Sequence, residues 1–300
     1  MACCNGTNGN GNVVKFGIPK GSLEDATISL FARSGWKITM RNRNYFPEIN
    51  DPAITARLCR PQEMPSYVAE GVLDAGLTGK DWILENQADV VVVADLIYSK
   101  ASNRPARWVL AVAGDSPYQK PEDLAGKRVA TEIMGLTERY FAEKNIPVRV
   151  QYSWGATEAK VVEGLADAIV EVTETGTTIR AHGLRILDDV LVTNTQLIAN
   201  RQAWENPVKR AKIDQITMLL QGALRAEGMV GLKMNAPTAN LEEVLSILPS
   251  LNSPTVAQQQ DNRWVSLEIV VSTKVVRDLI PRLVAAGVEG IIEYPLNKVI

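Results

Sequence analysis

A turn rich in threonine and glycine has the composition of a site for a phosphorylated ligand. The segment Glu174–Thr178 reads Glu-Thr-Gly-Thr-Thr and follows an apolar run that predicts a short buried strand. Backbone N–H groups and hydroxyls that converge between a strand and a helix form a concavity suited to phosphate. Asp167 and Glu171 flank the same strand, and carboxylates suit sugar hydroxyls or a magnesium ion. The stretch therefore predicts a sugar-phosphate site.

The same pattern occurs earlier in the chain. Glu-Gly-x-x-Asp-Ala-x is found at Glu70–Gly76 and at Glu163–Ile169, and each copy leads through a predicted strand to a Thr-Gly turn. Two such units predict two α/β lobes of related topology. Ligands of open α/β sheets bind beyond the carboxyl ends of the strands, so the lobes would face each other across a cleft. The matching Asp74 leaves an alternative for Asp167, a strand-start acid exposed to water.

Two basic residues stand where strands give way to helices. Lys20 and Gly21 lie between a predicted strand and an amphipathic run, beside a helix N-terminus that also attracts phosphate. Ser22 and Asp25 fit a capping box, so the alternative is that Ser22 only caps and Gly21 only turns. Arg60 occupies a similar junction, and its alternative is a solvated surface arginine.

Composition limits the classes of function. The 300 residues suggest two or three domains, and 32 basic against 34 acidic residues give a net charge of −2, so nucleic acid is not an expected partner. No apolar run approaches the ~18 residues of a membrane span. The Gly- and Asn-rich residues 1–12 predict a disordered leader rather than a signal peptide. The three cysteines form no disulfide or zinc pattern. We expect a cytoplasmic protein.

From Gly228 onward the pattern changes to short alternating strands and helices. The predicted order is strand, helix, two strands, helix, strand, which is the ferredoxin-like βαββαβ arrangement. Pro281 lies inside the second predicted helix and is expected to kink it. This small domain suits ligand sensing or subunit pairing.

Taken together, these segments resemble the ATP phosphoribosyltransferase family in its long form. The resemblance runs from about Val13 to the end, and Ala166–Thr178 is similar to the family's phosphoribosyl-pyrophosphate motif. Supporting segments are Pro19–Leu23, Gly71–Asp81, Gly155–Glu158 and Ser253–Val256. Two positions differ from the family's pattern. Position 22 is Ser where many members have Arg, and position 171 is Glu where Asp is common.

The resemblance implies an α/β fold with a bilobed catalytic core, like type II periplasmic binding proteins, and a C-terminal ferredoxin-like, ACT-like regulatory domain. The implied divisions are the leader at 1–12, lobe I at 13–103 and 187–226, lobe II at 104–186, and the regulatory domain at 227–300. The family joins N1 of the ATP adenine to C1 of phosphoribosyl pyrophosphate and releases pyrophosphate. It uses Mg²⁺, forms hexamers through dimers, and is inhibited by histidine.

The site residues follow from the motif and the resemblance together. Phosphoribosyl pyrophosphate is assigned to Asp167, Glu171, Thr173, Glu174, Thr175, Gly176, Thr177 and Thr178, with Mg²⁺ held by substrate phosphates and by Asp167 or Glu171. ATP is assigned to Lys20, Gly21, Arg60 and Asp81, the cleft wall to Glu158, and inhibitory histidine to Asn235 and Thr255. Two alternatives remain: transfer to another nucleobase, or a non-catalytic bilobed binding protein.

Overall fold

The computed structural model describes residues 11–40, 45–98, 105–249 and 253–300. The predicted leader falls outside these ranges except for its last two positions. The predicted lobe boundary at 103/104 also lies outside them. The chain divides into two compact units, residues 1–217 and 218–300.

The first lobe begins with a strand that is buried at every position except Lys15, and Val14, Phe16 and Ile18 supply its large core side chains. Its strands and helices are β1 (Val14–Pro19), α1 (Glu24–Ser34), β2 (Ile38–Thr39), β3 (Glu48–Ile49), β4 (Ile54–Cys59), α2 (Met64–Ala69), β5 (Ala75–Gly79), α3 (Lys80–Glu85) and β6 (Val91–Leu96). The expected capping box at Ser22 is wrong: Leu23 occupies the N-cap position of α1, and its side chain does not cap.

The second lobe packs its sheet around Trp108, Leu110 and Phe141. Its strands and helices are β7 (Ala106–Ala113), β8 (Arg128–Thr131), α4 (Met134–Glu143), β9 (Arg149–Tyr152), α5 (Thr157–Val162), β10 (Ala168–Thr173), α6 (Thr177–Ala181) and β11 (Leu184–Thr193). The chain then adds β12 (Thr195–Ala199) to the first sheet.

Both sheets have the same order of strands. The first runs β4-β1-β5-β12-β6, with β1 parallel to β4 and β5, and β12 antiparallel to its neighbours. The second runs β9-β8-β10-β7-β11, with β8 parallel to β9 and β10, and β7 antiparallel to its neighbours. The bilobed α/β core expected from the sequence is confirmed.

The return to the first lobe comes later than expected. The sequence placed it at residue 187, but β11 stays paired with β7 as far as Thr193. Thr195 then pairs with Gly79 of β5, so Asn194 is the residue that joins β11 to β12.

Two helices lead out of the core, α7 (Arg201–Glu205) and α8 (Pro207–Arg225). The second compact unit begins at Met218, within α8, rather than at residue 227. It continues with β13 (Met229–Pro237), α9 (Leu241–Ile247), β14 (Thr255–Gln258), β15 (Trp264–Ser272), α10 (Thr273–Ala285) and β16 (Glu289–Pro295). The strand order β14-β15-β13-β16, antiparallel throughout, confirms the ferredoxin-like prediction.

One face of this C-terminal sheet packs against α9 and α10 through residues such as Leu232, Leu267 and Leu283. Helix α10 continues through Pro281 as a single element. Among the helices of the described ranges, none has the length and apolar character that crossing a bilayer requires.

Candidate functional site

A cavity of about 580 Å³ lies between the two lobes at the carboxyl ends of parallel strands. This volume is within the range of small-molecule sites. Lys20, Arg60 and Asp81 reach it from the ends of β1, β4 and β5, while Glu132 and Glu174 reach it from the ends of β8 and β10. Gly21 also lines it. Five strand ends from two sheets therefore converge on one charged cavity.

The threonine-glycine turn lies beside this cavity and is ordered by its own side chains. Gly176 N donates to Thr173 Oγ1 at 2.8 Å, and the Thr175 and Thr177 hydroxyls lie 2.8 Å apart. Gly176 has φ = 74°, a conformation that favours glycine, and it precedes α6 directly. Thr175, Thr177 and Thr178 are exposed. Their hydroxyls and the first amides of α6 can accordingly reach an anion from solvent.

Arg180 adds positive charge to this turn, and the sequence-based assignment missed it. Its Nη2 donates to the Thr175 carbonyl at 2.9 Å. A Cβ placed on Gly176 would lie 2.9 Å from Arg180 Nη1, so the guanidinium lies directly against the turn. Spacing could have indicated this residue, because it lies one helical turn beyond Gly176.

Three glutamates lie close together in the second lobe. Glu171 is hydrogen-bonded to Thr157 at the start of α5, and burial raises the pKa of the Glu171 carboxyl. The charges of Glu158 and Glu132 raise the pKa of Glu171 further. The predicted cleft residue Glu158 is thus near enough for its charge to act on the predicted ribose ligand Glu171.

A magnesium ion fits this charge distribution only in company with substrate. Among the residues that the structure describes, no group of three or more His, Cys, Asp or Glu side chains is arranged to hold a metal ion by itself. Mg²⁺ commonly binds through one or two carboxylates together with substrate phosphates. Burial chiefly, and the charges of Glu158 and Glu132 in addition, raise the pKa of Glu171, and a cation beside it would favour the charged form of that carboxyl.

The structure contradicts the assignment of Asp167 to the ribose or to magnesium. Asp167 precedes β10, whereas the turn follows it, so six strand residues separate them by roughly 20 Å. Its carboxylate accepts from Arg128 N at 2.9 Å and from Arg128 Nε at 3.1 Å. These donors lower the pKa of the Asp167 carboxyl. Asp167 is a structural acid at the strand start, as the comparison with Asp74 had suggested, but it is bound by Arg128 rather than exposed to water.

The basic residues of the cavity wall are held by aromatic rings. Lys20 Nζ lies 4.2 Å from the centre of the Tyr45 ring, and the Arg60 guanidinium lies 5.4 Å from that of Trp154. Trp154 follows β9, so Arg60 reaches from one lobe to the other. Gln62 does the same, because its Nε2 donates to Glu132 Oε1 at 3.1 Å.

Asp81 lines the cavity, but its carboxylate is already engaged. Trp108 Nε1 donates to Asp81 Oδ2 at 2.6 Å, and Asp81 N donates to Thr193 Oγ1 at 3.2 Å. Burial raises the pKa of the Asp81 carboxyl, although the hydrogen bonds from Trp108 and Thr193 oppose that rise. Its contact with ATP stays a prediction, as do those of Lys20, Gly21 and Arg60.

The two residues assigned to histidine lie on the exposed face of the C-terminal sheet. Asn235 is opposite Ser266, which is opposite Ala257, and Thr255 is two residues along β14 from Ala257. Asn235 and Thr255 are therefore two strands, roughly 10 Å or more, apart. Asn235 Oδ1 accepts from Gln259 Nε2 at 2.6 Å. The assignment of histidine to this face stays a prediction.

Two α/β lobes around a charged cavity, with a ferredoxin-like domain appended, define a bilobed protein whose cavity has the size and charge of a small-molecule site. The family model described as HisG, ATP phosphoribosyltransferase, matches residues 60–222, and that of the HisG C-terminal domain matches residues 226–298. The chain belongs to the ATP phosphoribosyltransferase family, in its long form.

Similar proteins cover nearly the whole chain. An ATP phosphoribosyltransferase of Nitratidesulfovibrio vulgaris (strain DP4) is 74% identical over 287 residues, which is 96% of this chain and 98% of that protein. One from Geotalea uraniireducens is 57% identical, covering 96% and 99%. In a solved HisG:HisZ complex from Thermotoga maritima, one chain is 30% identical with a TM-score of 0.60 and covers 70% of this chain and 97% of its own length. These matches identify the chain as a pentosyltransferase that transfers the phosphoribosyl group of phosphoribosyl pyrophosphate to ATP and releases pyrophosphate.

Proposed function

We propose that the cavity between the lobes holds ATP and phosphoribosyl pyrophosphate together, so that adenine N1 attacks C1 of the ribose. The observation that supports this most strongly is the convergence of five parallel strand ends on one cavity, with Lys20 and Arg60 opposite Glu132 and Glu174. Holding two polyanions in one orientation lowers the entropic part of the barrier by several kcal/mol.

The turn Glu174–Thr178 binds the 5′-phosphate, through the exposed Thr hydroxyls and the first amides of α6. Arg180 contributes positive charge from the side of the turn. Glu171 and Glu132 are placed to meet the ribose side and the magnesium that accompanies pyrophosphate, and that ion supplies charge neutralisation for the leaving group. Lys20 and Arg60 bind the phosphates of ATP or the departing pyrophosphate from the first lobe.

No strong base is required for the attack, since adenine N1 is a neutral nucleophile. The chain's residues therefore act by orienting substrates and by stabilising charge as the pyrophosphate leaves. Burial and the charges of two glutamates raise the pKa of Glu171. A cation bound beside Glu171 would stabilise the charged form of this carboxyl.

The C-terminal domain is proposed to bind inhibitory histidine on its exposed sheet face, near Asn235 and Thr255. These residues lie two strands apart. Either one histidine contacts Asn235 with one end and Thr255 with the other, or two copies of the domain each supply one of the two residues. Assembly into a homohexamer through dimers and a cytoplasmic location are part of the same proposal, following the family resemblance.

Pyrophosphate release tests the choice of substrate. The protein is incubated with phosphoribosyl pyrophosphate, Mg²⁺ and, in turn, ATP, adenine and other nucleobases. Among these acceptors, we expect only ATP to cause pyrophosphate release. Faster release with a free base would favour the transferase of another base. No release with any acceptor would favour the non-catalytic binding protein.

A second measurement tests the regulatory site. Asn235→Ala should reduce inhibition by histidine about tenfold while leaving the uninhibited rate unchanged, because it removes one polar contact. Ser246→Ala, on the exposed part of α9, is the matched control. Equal inhibition of both variants would place the histidine site elsewhere.

A further inference from the structure

Helix α3 belongs to the first lobe by its place in the chain but binds the second lobe at its end. Glu85 Oε1 accepts from Gly135 N at 2.9 Å, and Glu85 Oε2 accepts from Leu136 N at 2.7 Å. These amides lie in the first turn of α4, where backbone donors lack intrahelical partners. Ile133, at the N-cap position of α4, has an apolar side chain that cannot accept them. Glu85 therefore caps α4 from the opposite lobe.

The other end of α3 is hydrogen-bonded to the connection between β11 and β12. Lys80 N donates to the Asn194 carbonyl at 3.0 Å, and Asp81 N donates to Thr193 Oγ1 at 3.2 Å. Asn194 joins the two sheets. The helix thus starts at the connection between the lobes and ends on α4, and we refer to Lys80–Glu85 as the brace.

Two further contacts hold the brace against the second lobe. The rings of Trp82 and Trp108 meet edge to face at 6.2 Å, and the Leu84 carbonyl accepts from Arg139 Nη2 at 2.7 Å. Trp108 pairs with Val172 of β10, just before the phosphate-binding turn.

We propose that Glu85 is a positioning residue for phosphoribosyl transfer, because the brace sets the angle between the lobes. Glu132 lies between β8 and α4, and α4 is the helix that Glu85 caps, so the cap also fixes where Glu132 enters the cavity. The role rests on the proposed binding of both substrates between the lobes. Each substrate would then lose affinity when the angle is no longer set.

Glu85→Ala tests this, with Glu138→Ala as the control that removes the same charge from an exposed position on α4. We expect the KM values for ATP and for phosphoribosyl pyrophosphate to rise by the same factor, about tenfold, the scale of losing one helix cap. Glu85→Gln retains one acceptor oxygen and should recover part of the loss. Glu138→Ala should match the unmodified protein.

Hydrogen exchange provides a readout independent of activity. The amides of Gly135 and Leu136 should lose protection in Glu85→Ala, while those of the central strand β8 keep theirs. Increased exchange with unchanged KM values would overturn the positioning role. A rise in KM for one substrate alone would instead make Glu85 a substrate contact, and unchanged exchange would overturn the capping role. If exchange rises throughout both sheets, the same criteria are applied to Glu85→Gln.

Discussion

In both lobes an aspartate stands at the start of the third parallel strand and is bound by the backbone of the first. Asp74 Oδ2 accepts from Lys15 N at 2.8 Å, and Asp167 Oδ2 accepts from Arg128 N at 2.9 Å. The amide of each aspartate donates to the carbonyl of the same partner, at 2.9 Å in both lobes. Here the repeated letters in the sequence correspond to a repeated hydrogen-bonding unit that joins neighbouring strands.

The same two strands differ where they end. After β5, α3 begins at once with Lys80, whereas after β10 three residues, Glu174–Gly176, intervene before α6. The second lobe therefore has a turn with exposed hydroxyls where the first has a helix that binds the other lobe. The repeat therefore specifies the scaffold at the strand start, whereas the strand end determines what each lobe binds.

Removing Asp74 is the most severe test of whether the repeated aspartate unit stabilises its lobe. Asp74 pairs with Lys209 at 2.7 Å, and both side chains are largely buried. Asp74→Ala leaves the Lys209 ammonium unpaired and the Lys15 amide without its side-chain acceptor, so we expect a loss of ~3 kcal/mol in the free energy of unfolding. Urea denaturation measures it. A change below about 0.5 kcal/mol would mean that the unit does not stabilise the lobe.

Gly176→Val tests whether the turn after β10 binds the phosphate. The substitution forces a branched residue into a left-handed conformation against Arg180, so we expect the KM for phosphoribosyl pyrophosphate to rise roughly 30-fold, or ~2 kcal/mol, and that for ATP to change little. Gly126→Val is the control, because Gly126 has φ = 75° with no atom within 4 Å of a Cβ there. Equal effects on both substrates would contradict the phosphate assignment of the turn.

Asp167→Asn distinguishes a scaffold acid from a ribose ligand in the second lobe. Solvent screens Arg128, which is partly exposed, so we expect a stability loss of about 1 kcal/mol and unchanged KM values. The folded-state pKa of Asp167 is lowered, so this contribution exists above the ordinary pKa of about 3.9 and is lost as pH falls through the folded value. A raised KM for phosphoribosyl pyrophosphate with unchanged stability would restore the ribose assignment.

Glu171→Gln should have the smallest effect, and of opposite sign. In the repeat Glu171 matches Thr78, a neutral residue that donates to the Pro61 carbonyl. Burial raises the pKa of Glu171 in the folded state. The free energy of unfolding therefore falls as pH rises from the ordinary pKa of about 4.3 through the raised folded-state value. The variant should therefore unfold at a higher urea concentration than the unmodified protein at pH 7, with the difference vanishing below about pH 4. The same difference at every pH would exclude this carboxyl as its cause.

The sequence predicted much of the fold because its signals are local. The repeat at Glu70 and Glu163 indicated two related lobes, and the alternation of short strands and helices after Gly228 indicated the ferredoxin-like domain. Both are confirmed. The role of Asp167 was assigned wrongly because sequence proximity to the turn does not reveal that a strand separates them. Ser22 failed as a cap because α1 begins two residues later, where Glu24 accepts from Gly21 N.

Contacts between distant segments were beyond the reach of patterns in the chain. Glu85 lies fifty positions from Gly135, and nothing in the composition of either segment shows that one caps the other. The pKa of Glu171 is likewise raised chiefly by burial in the folded lobe, with an added contribution from the charge of Glu132, which follows a different strand. Such pairings require the sheet order, which a single sequence leaves undetermined.

The single-residue connection at Asn194 has a mechanical consequence. Strands β11 and β12 form an almost continuous ribbon through both sheets, so on this side any rotation between the sheets is taken up by the backbone torsions of one residue. Its side chain donates to Asp95 Oδ1 and to the Thr195 carbonyl, both at 2.8 to 2.9 Å. Rotation about the Asn194 backbone leaves the hydrogen bonds within each sheet intact. Because few residues change their backbone conformation, the entropic cost of the rotation is small.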